Sequence, residues 1–393
     1  MMPNLRIAIA RQRYNPFGGA ERFVEGALTA LSQGGGIDVT LLTRAWDGAV
    51  PAKMQRQVEI VDPPYRSLPF GRVNRDRSFS EAVGQIIRQN RFDIVQAHER
   101  IPGCHVFRAG DGIHAAWLRH RQADQSALSN WLQKIDPYHA YTVEAERAMF
   151  AHANLRAVIC NSKMVAEEIQ AEYGVATERL RVIYNGVDLL KFSRENVVKS
   201  RERVRNEFSI PQSVPLILYV GSGYQRKGVA PLLKAMAQST LRETGAWLAV
   251  VGADKHLDRY RRLAENLKVA DRVVFAGAQK DVTAWYGAAD VFALPTQYDP
   301  CPNAALEALA CGLPTLTSPT CGVAELIASP LAGAVVSPQD PAAMAQELVR
   351  LLEATRLPAD AAVKAARHCV AHLSWEAMSA ELQALYASLI KAS

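Results

Sequence analysis

The sequence predicts an α/β chain with two parallel-sheet domains, and three observations lead there. Short apolar runs alternate with helical patterns along most of the chain, the alternation a parallel sheet with crossover helices requires. Its 393 residues exceed ordinary single-domain size, and 49% hydrophobic residues supply a core for each half. Two glycine-rich turns, Gly18-Gly19 and the loop from Gly221 to Gly228, each follow an apolar run in the manner of a βα unit.

Composition narrows the partners. A net charge of +6 points to an anion: phosphate, nucleic acid or an acidic membrane surface. The six cysteines are scattered without a C-x-x-C pair, which argues against a zinc site or a disulfide framework and for a reducing cytoplasm. No run approaches the roughly twenty apolar residues that span a bilayer. The chain enters its first strand at Leu5 rather than a signal peptide. The expectation is a cytoplasmic protein, soluble or attached to a membrane from one side.

The first half opens with strand Leu5–Ala10, then Asn15-Pro16-Phe17-Gly18-Gly19 and a helical pattern to about residue 31. Glycines let a ligand approach the backbone, and the free N–H groups of a helix start point at it, so this turn reads as a phosphate cradle. A G-x-G-x-x-G fingerprint is absent, which argues against NAD. Strand Ile37–Thr43 follows, and then a stretch to Arg77 with little helix or strand pattern. Between Arg66 and Arg121 ten arginines stand against five acids, a positive side suited to an anionic acceptor or headgroup. Residues 92–98 read as a strand ending in His98, placed where open α/β sheets bind ligands. Such a histidine can position a sugar hydroxyl or a developing charge. Over residues 115–142 aromatic and basic residues alternate: Trp117, Arg119, Arg121, Trp131, Lys134, Tyr138. That pattern suits either attachment to an anionic membrane surface or a helical insertion with its aromatics packed inside. Helix 144–150, strand 155–160, a helix capped near Ser162 and the turn at Asn185-Gly186 close this half.

Residues 189–212 have linker composition. Strand Leu216–Val220 then runs into Gly221, Arg226, Lys227 and Gly228. An arginine fork beside a mobile lysine can hold a diphosphate without a metal, and the Walker A order is absent. Helix 229–240, strand Trp247–Val251, helix 258–268, strand 272–276 and helix 281–289 predict a parallel sheet.

The chain is organised around residues 294–314. A buried strand, a proline-rich turn and an alanine- and leucine-rich helix succeed one another, with Asn303 available to cap the helix and Ala304 beside it. Asp299 lies in the turn and Glu307 eight positions later in the helix. Carboxylate acceptors for sugar hydroxyls next to amide donors for phosphate are what a nucleotide-sugar site needs. A strand–turn–helix whose acids merely complement the helix dipole would look the same. A strand near 333–336, helices 340–353 and 359–371 and a last helix from Trp375 to about residue 390 complete the pattern. No Asp-x-Asp metal motif is present, which leaves charge neutralisation to Arg226, Lys227 and helix dipoles.

The stretch from Asp299 to Glu307 resembles the acidic–seven–acidic motif of the retaining glycosyltransferases of family 4. Their architecture, GT-B, has two Rossmann-like domains facing across a cleft. The loop from Val220 to Gly228, Asn185-Gly186-Val187-Asp188 and the strand-end His98 are similar to that family as well. Tyr14-Asn15-Pro16-Phe17-Gly18-Gly19 and Ile101-Pro102-Gly103 look most like the lipopolysaccharide core glucosyltransferase group. Three positions depart: Asp299 replaces the usual Glu, Pro302 stands where Gly is frequent, and Phe23 replaces an Asp of that group.

The resemblance implies domains at 1–188 and 213–373, a linker at 189–212, and a final helix at 374–393 that crosses back to the first domain. It implies a UDP-sugar donor as substrate, no cofactor or metal, and a lipid-anchored core oligosaccharide acceptor at the cytoplasmic face of the inner membrane. The diphosphate would lie on Gly19, Arg226 and Lys227, close to Gly18 and Gly221. The base would lie on the backbone near Gln279, the ribose on Glu307, and the sugar hydroxyls on Asp299. A UDP-sugar epimerase and a catalytically silent nucleotide-sugar or membrane-surface binder are the alternatives. The basic excess is too modest, and fold signatures too lacking, for nucleic acid.

Overall fold

The computed structural model describes residues 5–14, 37–46, 57–123 and 136–391. It divides the chain into one unit of Met1–Gly186 with Trp375–Ser393, and a second of Val187–Ser374.

The first unit carries β1 (Leu5–Ala10), β2 (Arg13–Tyr14), β3 (Ile37–Thr43), β4 (Ala45–Trp46), β5 (Val58–Ile60), β6 (Ile94–Ala97), β7 (Val106–Ala109), β8 (Ala157–Cys160) and β9 (Leu180–Val182). Seven of these form one sheet in the order β5-β3-β1-β6-β7-β8-β9, while β2 and β4 pair separately. Every pairing in the large sheet is parallel. β6, β7 and β8 are buried along their whole length, as strands covered on both faces must be. The chain runs outward from β1 to β5, then returns to place β6 on the other side of β1. That reversal opens a crevice at the carboxyl ends of β1 and β6, where ligands of open sheets bind.

One face of this sheet is closed by the last helix, Trp375–Lys391. Its Met378, Leu382, Leu385 and Tyr386 pack against Ile7, Ile9, Ile94, Val106 and Ile159. The final helix therefore belongs to the core of the first unit.

β7 and the short β2 and β4 carry no strand pattern that the sequence made plain. The stretch read as patternless contains β5 and the start of helix Gly71–Arg88. That helix buries Val73, Phe79, Val83, Ile86 and Ile87, an apolar stripe hidden among arginines whose stems can lie along it. Arg44, almost fully buried at the end of β3, ties the region down by donating to Asp62, the Pro63 and Arg75 carbonyls and Ser78.

The second unit carries β10 (Leu216–Val220), β11 (Trp247–Val251), β12 (Val273–Gly277), β13 (Val291–Leu294), β14 (Thr315–Thr317) and β15 (Gly333–Val335). The order is β12-β11-β10-β13-β14-β15, again all parallel. The reversal falls between β10 and β13. The apolar runs of β10 and β13 bury nearly every residue because helices cover both faces.

Residues 189–212, expected as a linker, are part of this unit. They form helices Arg194–Val197 and Arg201–Glu207, which pack beside helix Thr283–Ala288. Arg205 is fully buried and donates to the carbonyls of Ala288, Pro211, Gln212 and Val214 and to Asp290. Arg201 grips the other oxygen of Asp290 at 2.9 Å. The charge that looked like solvated linker is consumed inside the fold, where a buried guanidinium is tolerated only when its donors are matched.

Candidate active site

Two loops leave the sheet of the second unit side by side at its reversal. β10 feeds Gly221, Ser222 and Gly223 into a single helical turn, Tyr224–Lys227, which ends at Gly228. β13 feeds Pro295 to Asp299. Gly228 adopts φ +84°, and a Cβ there would stand 1.9 Å from the Pro295 carbonyl oxygen, so only glycine lets the two loops touch. The Arg226 carbonyl accepts from Gln297 N at 2.7 Å and from the Thr296 hydroxyl at 3.0 Å, bolting the cationic turn to the neighbouring strand exit.

The side chains converge. Lys227 Nζ lies 3.2 Å from Asp299 Oδ2, and Arg226 approaches the same oxygen at 3.6 Å while donating to the Tyr298 carbonyl at 2.8 Å. A Cβ on Gly221 would meet Lys227 Cδ at 2.8 Å, so the lysine stem runs back over that glycine. Asp299 is itself held by its backbone: its N–H donates to Thr320 O, and its carbonyl accepts from Gly322 N. Burial, then the charge of Asp299, pushes the nearby Cys321 thiol up to about 12.

Asp254, in the loop after β11, accepts from Tyr224 N at 2.8 Å, and the Tyr224 hydroxyl donates to Gly252 O at 2.7 Å. These bonds fix the start of the cationic turn. Sequence reading passed over both residues, since a buried tyrosine reads as core until its hydroxyl is asked for a partner.

Helix Asn303–Ala310 follows the acidic loop. Pro302 occupies its cap position and Asn303 is already helical, with no side-chain cap bond, so Asn303 is not the expected cap. Proline fits there because the N–H of a cap residue takes no part in the helix's own hydrogen bonds and the ring sets a φ near the −67° found. Asn303 and Ala304 open the helix, half-exposed, with their amides in its first turn. Glu307 is buried, and the Tyr286 hydroxyl donates to its Oε2 at 2.8 Å. Tyr286 thus orients this carboxylate, a role its place in an apolar helix concealed. Gln279 lies beyond edge strand β12, where its Nε2 closes its own turn on the Ala276 carbonyl at 2.7 Å.

In the first unit His98 follows β6 directly, and its N–H donates to Ala10 O at the end of β1. The ring is buried. Burial, then Arg108 and Arg11, hold its pKa well below the ordinary value of 6.5, so it is neutral at physiological pH. Arg108, also buried, donates to Asn185 Oδ1 at 2.6 Å. Glu146, fully buried, accepts from Arg100, His114 N and the Tyr173 hydroxyl, pinning the start of helix His114–Ala123. Gly18, Gly19 and Phe23 lie outside the described residues, as does Trp131. Trp117 and Tyr138 of the aromatic stretch are half-buried, with Arg121 and Arg72 stacked on their rings. Among the described residues no helix is long and apolar enough to cross a membrane. Among them, too, no three His, Cys, Asp or Glu side chains are grouped to hold a metal.

Cations, a carboxylate and helix amides thus gather at the reversal of a parallel sheet, and the chain as a whole is similar to known glycosyltransferases. The lipopolysaccharide glucosyltransferase WaaG of Escherichia coli (strain K12) is 28% identical over 335 residues, 84% of this chain and 85% of that protein. The D-inositol 3-phosphate glycosyltransferase of Corynebacterium glutamicum (strain R) is 26% identical over 390 residues, 94% and 91% of the two chains. The crystal structure of WaaG, a glycosyltransferase involved in lipopolysaccharide biosynthesis, superposes with a TM-score of 0.78 at 26% identity, covering 96% of this chain and 98% of that one. Residues 17–190 match glycosyltransferase family 4 and residues 200–368 match the glycosyl transferases group 1. The chain thus carries a family 4 and a group 1 glycosyltransferase domain in succession, as the two Rossmann-like parallel-sheet domains of the GT-B architecture.

Proposed function

We propose that this glycosyltransferase moves a hexosyl group from a UDP-sugar, UDP-glucose or UDP-N-acetylglucosamine, to a lipopolysaccharide core or similar lipid-linked glycan, retaining the anomeric configuration. The observation that carries the reading is the Arg226–Lys227 pair, held by short hydrogen bonds at the sheet reversal with Asp299 as its counter-charge.

Negative charge grows on the leaving diphosphate as the glycosidic bond breaks. Donors already fixed where that charge appears lower the barrier without reorganising. In this reading Arg226, Lys227 and the amides of Asn303 and Ala304 receive the diphosphate, with Gly221 leaving room for the Lys227 stem. Glu307, oriented by Tyr286, accepts from ribose hydroxyls. Asp299 turns from the cations to a sugar hydroxyl, and the neutral His98 offers a hydrogen bond to substrate. The backbone near Gln279 receives the base. No metal is required, so turnover persists in chelator.

The acceptor reading leans on WaaG, whose name states a lipopolysaccharide role. The matching inositol phosphate transferases keep a small phosphorylated acceptor as a second arm of the test. The basic and aromatic residues of 115–142 would hold the protein to an anionic membrane from its cytoplasmic side. Trp117→Ser should weaken binding to anionic liposomes; unchanged flotation refutes the attachment.

The deciding experiment measures UDP release from each UDP-sugar with and without a lipid-linked core oligosaccharide or inositol phosphate, and the anomeric configuration of the product by NMR. Acceptor-dependent release with retention supports transfer. Interconversion of the UDP-sugar without acceptor would instead indicate an epimerase, and binding without any release a silent binder.

A further inference from the structure

A buried hydrogen-bonded chain joins the imidazole of His98 to the last helix. The Tyr386 hydroxyl, on helix Trp375–Lys391, donates to Gln96 Oε1 at 2.7 Å. Gln96 Nε2 lies 3.0 Å from His98 Nε2. Tyr386, Gln96 and His98 are all buried, Gln96 completely, and all three belong to the first unit.

The two distances orient the amide. A contact of 2.7 Å is the ordinary length of an O–H···O bond, whereas N–H···N and N–H···O bonds centre nearer ~3.0 Å. The amide oxygen therefore faces the phenol and the amide nitrogen faces the ring. An amide nitrogen only donates, so the ring nitrogen opposite it must accept. Burial and the neighbouring cations Arg108 and Arg11 keep the ring neutral, and a neutral imidazole has one accepting and one donating nitrogen.

We infer that Tyr386, acting through Gln96, locks His98 in the tautomer that carries its proton on Nδ1, making it a fixed hydrogen-bond donor rather than a general base. Tyr386 and Gln96 are positioning residues. The tautomer stands on the geometry of the first unit alone; its use toward a sugar hydroxyl rests on the transfer reading. A donor suits that use, since it can bind a hydroxyl oxygen or an oxygen gaining charge, and it cannot remove a proton.

Ring-15N-labelled histidine in the full chain, with the His98 signals assigned by their loss in His98→Gln, reads the tautomer by long-range 1H–15N correlation. The expected spectrum has a protonated Nδ1 and a bare Nε2 between pH 6 and 8. A protonated Nε2, or a tautomer mixture, in the unaltered chain overturns the inference. Gln96→Glu replaces the donor with an acceptor and should move the proton to Nε2; an unmoved proton there also overturns it. Tyr386→Phe frees the amide to turn, so the single tautomer should give way to a mixture, and an unchanged spectrum removes Tyr386 from the chain of causes. On activity, Tyr386→Phe should lower kcat about tenfold with little change in the donor KM, less than the hundredfold a misplaced group can cost. The spectra report the tautomer whether or not sugar is transferred, so failure of the transfer reading leaves them interpretable.

Discussion

Lys227 Nζ sits 3.2 Å from Asp299 Oδ2, so the lysine proposed to meet a diphosphate is engaged by a carboxylate. Both side chains are largely buried, at 16% and 10% exposure, so salt screens their attraction less than that of a surface pair. An anionic ligand entering here must displace or share that carboxylate.

Lys227→Ala removes the better buried cation. Loss of one charge-stabilising donor costs about 2.7–4 kcal/mol of activation free energy, so kcat should fall roughly a hundredfold or more. Steady-state UDP release on a variant with an unaltered melting temperature checks this. Turnover equal to the parent would remove Lys227 from the chemistry.

Asp299→Asn separates two roles of the carboxylate. Free of its counter-charge, the cation pair should bind UDP about fivefold tighter, the ~1 kcal/mol scale of such a pair. UDP-glucose should gain less than UDP, because its sugar loses an acceptor. Calorimetric titration with both ligands tells the cases apart; weaker UDP binding would show that Asp299 assists the diphosphate directly.

Tyr286→Phe deletes the bond that orients Glu307, leaving a buried carboxylate oxygen with one donor fewer. A lost hydrogen bond to a charged group is worth about 1.5–3 kcal/mol. Part of that should appear as lower stability and part as UDP binding weakened about fivefold. Binding and stability both equal to the parent would mean the carboxylate is held by other contacts.

Arg205→Ala leaves Asp290 with a poorer partner and several carbonyls without their donor. Breaking a buried pair from one side costs about 3–5 kcal/mol. In urea, the transition followed by nucleotide binding should move to lower concentration. A shift no larger than that of a surface substitution would return residues 189–212 to the status of a linker.

His98 gives a pH signature. Its pKa is lowered in the folded chain, so the unfolded chain takes up a proton first as pH falls through about 6.5. Its contribution to stability is complete above that pH and is lost progressively below it, down toward the depressed folded value. His98→Gln should therefore flatten the decline of stability between about pH 6.5 and 5, measured by denaturant midpoints. An identical slope in both proteins would contradict a buried neutral ring.

Much of this was legible in the sequence, for a local reason. Arg226, Lys227 and Asp299 follow directly on apolar runs that can only be strands, so their place at strand ends is fixed by a few residues of chain. Tyr224 and Asp254, 30 residues apart, and Gln96 and Tyr386, 290 apart, meet only because of the order in which strands and helices are laid together. No spacing rule carries that information. Arg205 misled for the opposite reason: a charge pattern records which groups are present and not whether their partners are water or carbonyls. Asn303 misled because the proline before it had already taken the cap position.

Met378, Leu382, Leu385 and Tyr386 are supplied to the first sheet only after the entire second unit has been made. On a ribosome the unit begun first must be finished last. Until those residues emerge, the nascent first sheet waits with one apolar face uncovered, while Val187–Ser374 already holds every strand of its own sheet. A stop codon just before Trp375 would spare the second unit while leaving the first unable to close.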